Sequence, residues 1–223
     1  MIASLPSPAA RARAAWALAV VGLGLAAPLG AQDTSENSVP RAFYLALRVG
    51  GTASSALVED AVGPGAGAVT AKPDPGPVVG ASFWFALRPR ISIEGELGWS
   101  ATDLGADDGA SEWTADDLNV IHGALLLRFS VHPVAYGRVG VGVLRYGGDR
   151  PGGFLADDAQ VQPYATAGVG ARREVGGYLL FAELNGQLHR FSFRALREAG
   201  GESGTVARAL LQVGAAIRLG GAS

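Results

Sequence analysis

The sequence has no cysteine and a single lysine, Lys72. Without thiols there is no disulfide framework and no thiolate metal centre. Charged residues make up 17% and the formal net charge is -2, so the chain lacks the basic field that nucleic-acid binding requires. Outside the N-terminus there is no apolar run near the ~20 residues of a membrane-spanning helix. Yet hydrophobic residues make up 48%, and mean hydropathy is +0.23. An apolar chain without helical spans implies either a deeply buried core or a barrel that is apolar on its outside. Glycine contributes 33 of 223 residues, above average usage; these lack a collagen period and fall largely inside apolar runs.

The N-terminus reads as an address. Arg11 and Arg13 precede an apolar run from Ala14 to Ala27, and Pro28-Leu29-Gly30-Ala31 leads to the polar Gln32-Asp33. A basic start, a short apolar core and small residues form a secretory signal peptide, here residues 1–31, cleaved after Ala31. Residues 32–41 are a polar lead-in, 42–219 the main domain and 220–223 a short tail.

From Phe43 the chain alternates with a period of two, the mark of strands whose two faces meet different surroundings. Phe43, Leu45, Leu47 and Val49 share one face, with Arg48 and Gly50 on the other. Seven further segments repeat this pattern, through Phe83, Ile93, Leu125, Val141, Val169, Leu184 and Leu211. Each segment approaches the ~9–11 residues that a tilted strand needs to cross a bilayer. Short links at Arg88-Pro89-Arg90, His132-Pro133 and Arg173 to Gly177 alternate with long links at Thr52 to Pro75, Ser100 to Asp117, Arg145 to Val161 and Phe191 to Thr205. An even strand count with short turns at one end and long loops at the other predicts an all-β, eight-stranded antiparallel transmembrane β-barrel, its long loops outside the cell.

Charge assigns the faces. The apolar set of every segment is free of Asp, Glu, Lys and Arg, whereas the other set carries Arg48, Glu94, Glu96, Arg128, Arg138, Arg172, Glu183, Arg208 and Arg218. An Arg facing lipid at mid-bilayer costs about 2–4 kcal/mol, so the apolar face is outward and the polar face is the lumen. Small residues on the inner face, in Tyr136–Gly142 (YGRVGVG) and Tyr164–Gly170 (YATAGVG), leave room for large inward neighbours. With the signal peptide, the Pro163–Gly170 run and the inward Glu/Arg set, the chain resembles the small OmpA/OmpX-like outer-membrane barrels, a porin-like family. The resemblance implies a Gram-negative-type outer membrane, contact with its lipid and lipopolysaccharide, and insertion by the barrel-assembly machinery. Members commonly end on an aromatic residue; here the last strand ends Ile217-Arg218-Leu219.

An eight-stranded barrel has an interior just wide enough for side chains to fill. Arg48, Glu94, Glu96, Arg128, Arg138, Glu183 and Arg208 are therefore expected to form one lumen charge network, a plug and not a gated ion path. Outward Trp99 and Tyr178 are expected as aromatic anchors at opposite interfaces. His189 and Ser192 invite a lipid-hydrolase reading, but three residues apart in a strand they face opposite sides. Asp103, Asp107, Asp108, Glu112, Asp116 and Asp117 lack the spacing of a calcium loop and read as a solvated acidic loop. No cofactor or metal is expected. The expected role is non-enzymatic, structural or surface contact through four loops that could hold an extracellular ligand, with a narrow channel as the alternative and a lipid-modifying enzyme third.

Overall fold

The computed structural model describes residues 42–62, 68–107, 110–148, 160–191 and 204–219. The signal segment, the lead-in from 32 to 41 and the tail from 220 lie outside the described residues, as do Asp108 and Ser192. Ten strands follow in order: β1 (Phe43–Ser54), β2 (Val58–Val62), β3 (Ala68–Pro73), β4 (Gly76–Arg88), β5 (Ile91–Asp107), β6 (Glu112–His132), β7 (Ala135–Gly148), β8 (Gln160–Val175), β9 (Tyr178–Phe191) and β10 (Gly204–Leu219).

Every pairing is antiparallel. From β4 to β10 each strand pairs with the next, and β1 pairs with both β4 and β10, which closes eight strands into a barrel without a free edge. Strands β2 and β3 are additional. They form a hairpin inside the first long link, and β3 extends the sheet by pairing with β5 from Thr70↔Asp107 to Pro73↔Leu104.

The short links are two-residue turns, Pro89-Arg90, Pro133-Val134 and Gly176-Gly177. The last has φ of 58° and 85°, the left-handed conformation of a twist-matched hairpin turn that glycine adopts without a Cβ penalty. A bulge between Ala86 and Arg88 and another between Ser130 and His132 flank the first two turns.

The strands run further than the alternation of their residues implies. The expected loop from Ser100 to Asp117 is mostly ladder: β5 and β6 stay paired to Asp107↔Glu112. The outward positions there, Ala101, Asp103, Gly105 and Asp107, lack large apolar side chains, so the contrast between faces fades while backbone hydrogen bonding continues, and the pattern alone places the strand ends too early.

The wall is inside out relative to a soluble barrel. Leu47, Leu97 and Val141 are 67–68% exposed on the outside, while Arg48 and Glu94 are 2% and 0% exposed within. Phe83, Leu125 and Ile217 also face outward, and Phe85 packs against Phe43 on the same face, its ring tilted by 34° at 4.8 Å between centroids. Glycines let this narrow tube hold large inward side chains. Gly98, Gly142, Gly168, Gly170 and Gly214 stand directly opposite His122, Tyr164, Asn185, Tyr136 and Phe181 on neighbouring strands. In each pair the large side chain lies across the glycine, where a Cβ would collide with it.

Candidate functional site: the lumen

Inside the barrel the side chains form layers along the axis. At the short-turn end, Trp84, Phe181, Ala46 and Ala216 pack together with Tyr44 and Leu179; Tyr44 stacks on Trp84 at 5.2 Å. Above them lies a charge layer drawn from β1, β5, β6, β7 and β9. Arg48 reaches all three acids, at 2.6 Å to Glu94, 2.7 Å to Glu96 and 3.0 Å to Glu183. Arg128 bridges Glu94 and Glu183, each at 2.9 Å. Arg138 contacts Glu94 at 3.3 Å, Glu183 at 2.7 Å, and Glu96 as well.

Three guanidinium groups thus face three carboxylates, and the layer is neutral by formal charge. Each member is 5% exposed or less. Planar guanidinium forks suit this interlacing, because each can serve two or three acceptors in different directions. Polar neighbours add further contacts, while Arg48 Nε, Arg128 Nη1 and Arg138 Nε are buried without a hydrogen-bond partner among the described residues. Tyr136 donates to Glu183 at 2.6 Å, Arg48 donates to the Ser82 hydroxyl at 2.5 Å, and His122 Nε2 lies 3.2 Å from Glu96. The Arg128 guanidinium lies over the rings of Trp84 and Tyr136, each centroid 4.2 Å away, so aromatic faces cover it as well as the two carboxylates.

Six of the seven residues expected in one network meet here; Arg208 does not. It lies nearer the long-link end, 3% exposed, and donates only to neutral oxygens: Gln187 at 3.1 Å, Ser100 at 3.1 Å and Thr52 at 3.5 Å. The stagger of β10 against β9 sets Arg208 beside Gln187, whereas Glu183 is level with Gln212, two inward positions away. Arg172 and Arg218 also stand apart. Arg172 hydrogen-bonds the Pro133 carbonyl and the Ser130 hydroxyl at the short-turn mouth, and Arg218 is exposed.

The long-link end of the lumen corrects a second expectation. The inner face is not polar throughout: Leu57, Leu104, Leu118, Leu144, Tyr146, Phe191 and Val206 form a buried apolar cap over the polar layers. Leu57 enters from the first long link, held by its amide to the Ala71 carbonyl at 2.8 Å. The signal was present in the alternation, since Leu144 and Tyr146 continue the inward parity of Tyr136 and Arg138, but charge alone obscured it.

Trp99 and Tyr178 project outward, 43% and 55% exposed. Trp99 pairs with Val79 and Ile121 in the long-link half, and Tyr178 begins β9 just after the Gly176-Gly177 turn. His189 faces the lumen, with Nε2 3.0 Å from the Tyr146 hydroxyl. Of the acidic residues, Asp103 opposes Asp117 and Asp107 opposes Glu112 at the upper ends of β5 and β6. Among the described residues no three His, Asp or Glu side chains converge as a metal site.

No family model matches the chain, and no curated protein sequence does so significantly. Solved structures do. The chain is similar to the outer membrane protein OprG from Pseudomonas aeruginosa at 13% identity and a TM-score of 0.54, covering 81% of this chain and 97% of that one. It is similar to the outer membrane protein AlkL, solved in DMPC lipid bilayers, at 15% identity and a TM-score of 0.51, with 89% and 99% covered. Neisserial surface protein A gives 12% identity and a TM-score of 0.50, with 79% and 97% covered. At these identities the likeness is one of architecture: the chain has the fold of the small eight-stranded outer-membrane β-barrels.

Proposed function

We propose that this chain is an integral outer-membrane barrel with a closed lumen, whose role is envelope structure and surface contact and not conduction or catalysis. The observation that carries the reading is the charge layer: six side chains interlock across the bore, none more than 5% exposed. A conducting path at this width would need water among those charges; instead they pair with one another. The apolar outer wall supports contact with outer-membrane lipid and lipopolysaccharide, and the solved barrels of like fold carry outer-membrane names. In this reading the barrel-assembly machinery inserts the chain after signal cleavage, Trp99 and Tyr178 anchor the two interfaces, and the long links face outward to meet any extracellular ligand.

Purified protein in a planar bilayer tests it. The expected result is no conductance above the lipid background. Stable unitary openings in the parent protein would refute the closed lumen and favour a channel for small solutes. An epitope inserted at 109 should be labelled on intact cells; labelling only after permeabilisation would reverse the orientation.

A further inference from the structure

The charge layer balances itself, three guanidinium groups against three carboxylates, which leaves Arg208 as a buried cation one layer above with no carboxylate facing it among the described residues. Its partners Gln187, Ser100 and Thr52 are neutral. Dipoles orient a guanidinium but do not cancel its charge, and an uncompensated buried ion is costly to keep. The acids of the layer below are already committed, Glu96 to Arg48, Arg138 and His122.

A second group points the same way. The Tyr164 hydroxyl is buried without a hydrogen-bond partner among the described residues, and it lies within electrostatic reach of Glu96 and Arg138 below it and of Arg208. By register Tyr164 stands beside His189 on β9, and Arg208 lies one inward step from Val206, the residue on the other side of His189. This part of the lumen therefore offers unpaired donor capacity, and the carboxylate that reaches Tyr164 electrostatically, Glu96, is held by Arg48, Arg138 and His122 in the layer below. Water could satisfy the hydroxyl, but it would not neutralise the cation. The apolar cap containing Leu57, Leu104 and Phe191 closes the space toward the long-link end and raises the value of a counter-charge by excluding solvent.

We propose that Arg208 and Tyr164 form a buried binding site for a small monovalent anion, a halide or a short carboxylate, in the long-link half of the lumen. The site is small, because neighbouring side chains fill the bore, so compact anions enter and bulky ones do not. The cap must open for exchange. The proposal is independent of whether the layer below conducts, so a conducting parent would refute the closed lumen and leave this test intact.

The test is thermal unfolding of the refolded protein in a non-ionic detergent at fixed ionic strength, exchanging sodium gluconate for sodium bromide or sodium formate. The parent Tm should rise with bromide and formate, by roughly 5–10 °C once the anion stands about 100-fold above its Kd. Arg208→Gln should lose that response and, in gluconate, unfold no lower than the parent, because it removes an uncompensated charge. Tyr164→Phe should keep a weaker response with a raised apparent Kd. Crystals of the parent grown in bromide supply a readout that needs no variant: an anomalous peak in contact with Arg208 is expected. A parent Tm indifferent to anion identity, an Arg208→Gln protein that responds like the parent, or an Arg208 contacted only by water or by a protein carboxylate in the bromide crystals would each overturn the proposal.

Discussion

Glu183→Gln is the sharpest probe of the lumen. Glu183 accepts from Arg138 at 2.7 Å, Arg128 at 2.9 Å, Arg48 at 3.0 Å and Tyr136 at 2.6 Å, and it is 1% exposed. At an effective dielectric of about 20 and charge separations near ~4 Å, each pair contributes roughly 4 kcal/mol of attraction, or about 12 kcal/mol gross over three arginines. Desolvation of the carboxylate removes several kcal/mol of that, and the arginines repel one another. The net loss on neutralising one partner should be about 3–5 kcal/mol, since the layer is left with one guanidinium in excess. The assay is reversible urea unfolding in lipid vesicles, with the m-value checked for constancy. Charge balance, not shape, is the claim. Glu183→Gln with Arg48→Gln restores two against two and should therefore lose less than the sum of the single variants, a coupling that a double-mutant cycle measures. A single loss below ~1 kcal/mol, or strict additivity in the cycle, would refute the argument that the acids are held by the excess charge they neutralise.

Four further outcomes are expected. Tyr136→Phe removes the short hydrogen bond to Glu183 but keeps the ring on Arg128, and should lower stability by about 1.5–3 kcal/mol in the same unfolding assay. Gly170→Ala forces a Cβ against the Tyr136 ring and should lose about 1–3 kcal/mol by overpacking, measured likewise. On the outer wall, Leu125→Arg should be destabilising by roughly 2–4 kcal/mol in vesicles, a penalty that should shrink in detergent if Leu125 meets lipid. At the long-link end, burial and the nearby Asp103 and Glu112 raise the Asp74 pKa, with Lys72 opposing them. A raised carboxyl favours the folded hairpin fully below the unfolded pKa, and that support is lost as pH rises through the folded one. Amide protection across the β3–β5 pairing should thus fall from acidic to neutral pH, and Asp74→Asn should abolish the dependence; hydrogen exchange reads both.

The repeating contrast between faces was legible residue by residue. Leu47 against Arg48, Leu97 against Glu96 and Leu127 against Arg128 each announce a strand with an apolar outside, because the period of two is a local property of the backbone. Link lengths supplied the order of turns and loops, and the inward glycines hinted at large neighbours without naming them. Sequence alone did not assign partners. Which glycine lies under which ring, as Gly170 under Tyr136, follows from cross-strand register. So does the separation of Arg208 from the acids: parity sends it inward, but its height along the axis depends on the stagger accumulated around the closed barrel, a quantity that no single strand encodes. The apolar cap escaped for a related reason. Leu57 comes from a link with no periodicity of its own, and it enters the lumen only because the β2–β3 hairpin docks on β5. Local alternation thus determined which way each side chain faces; closure of the barrel decided which side chains meet.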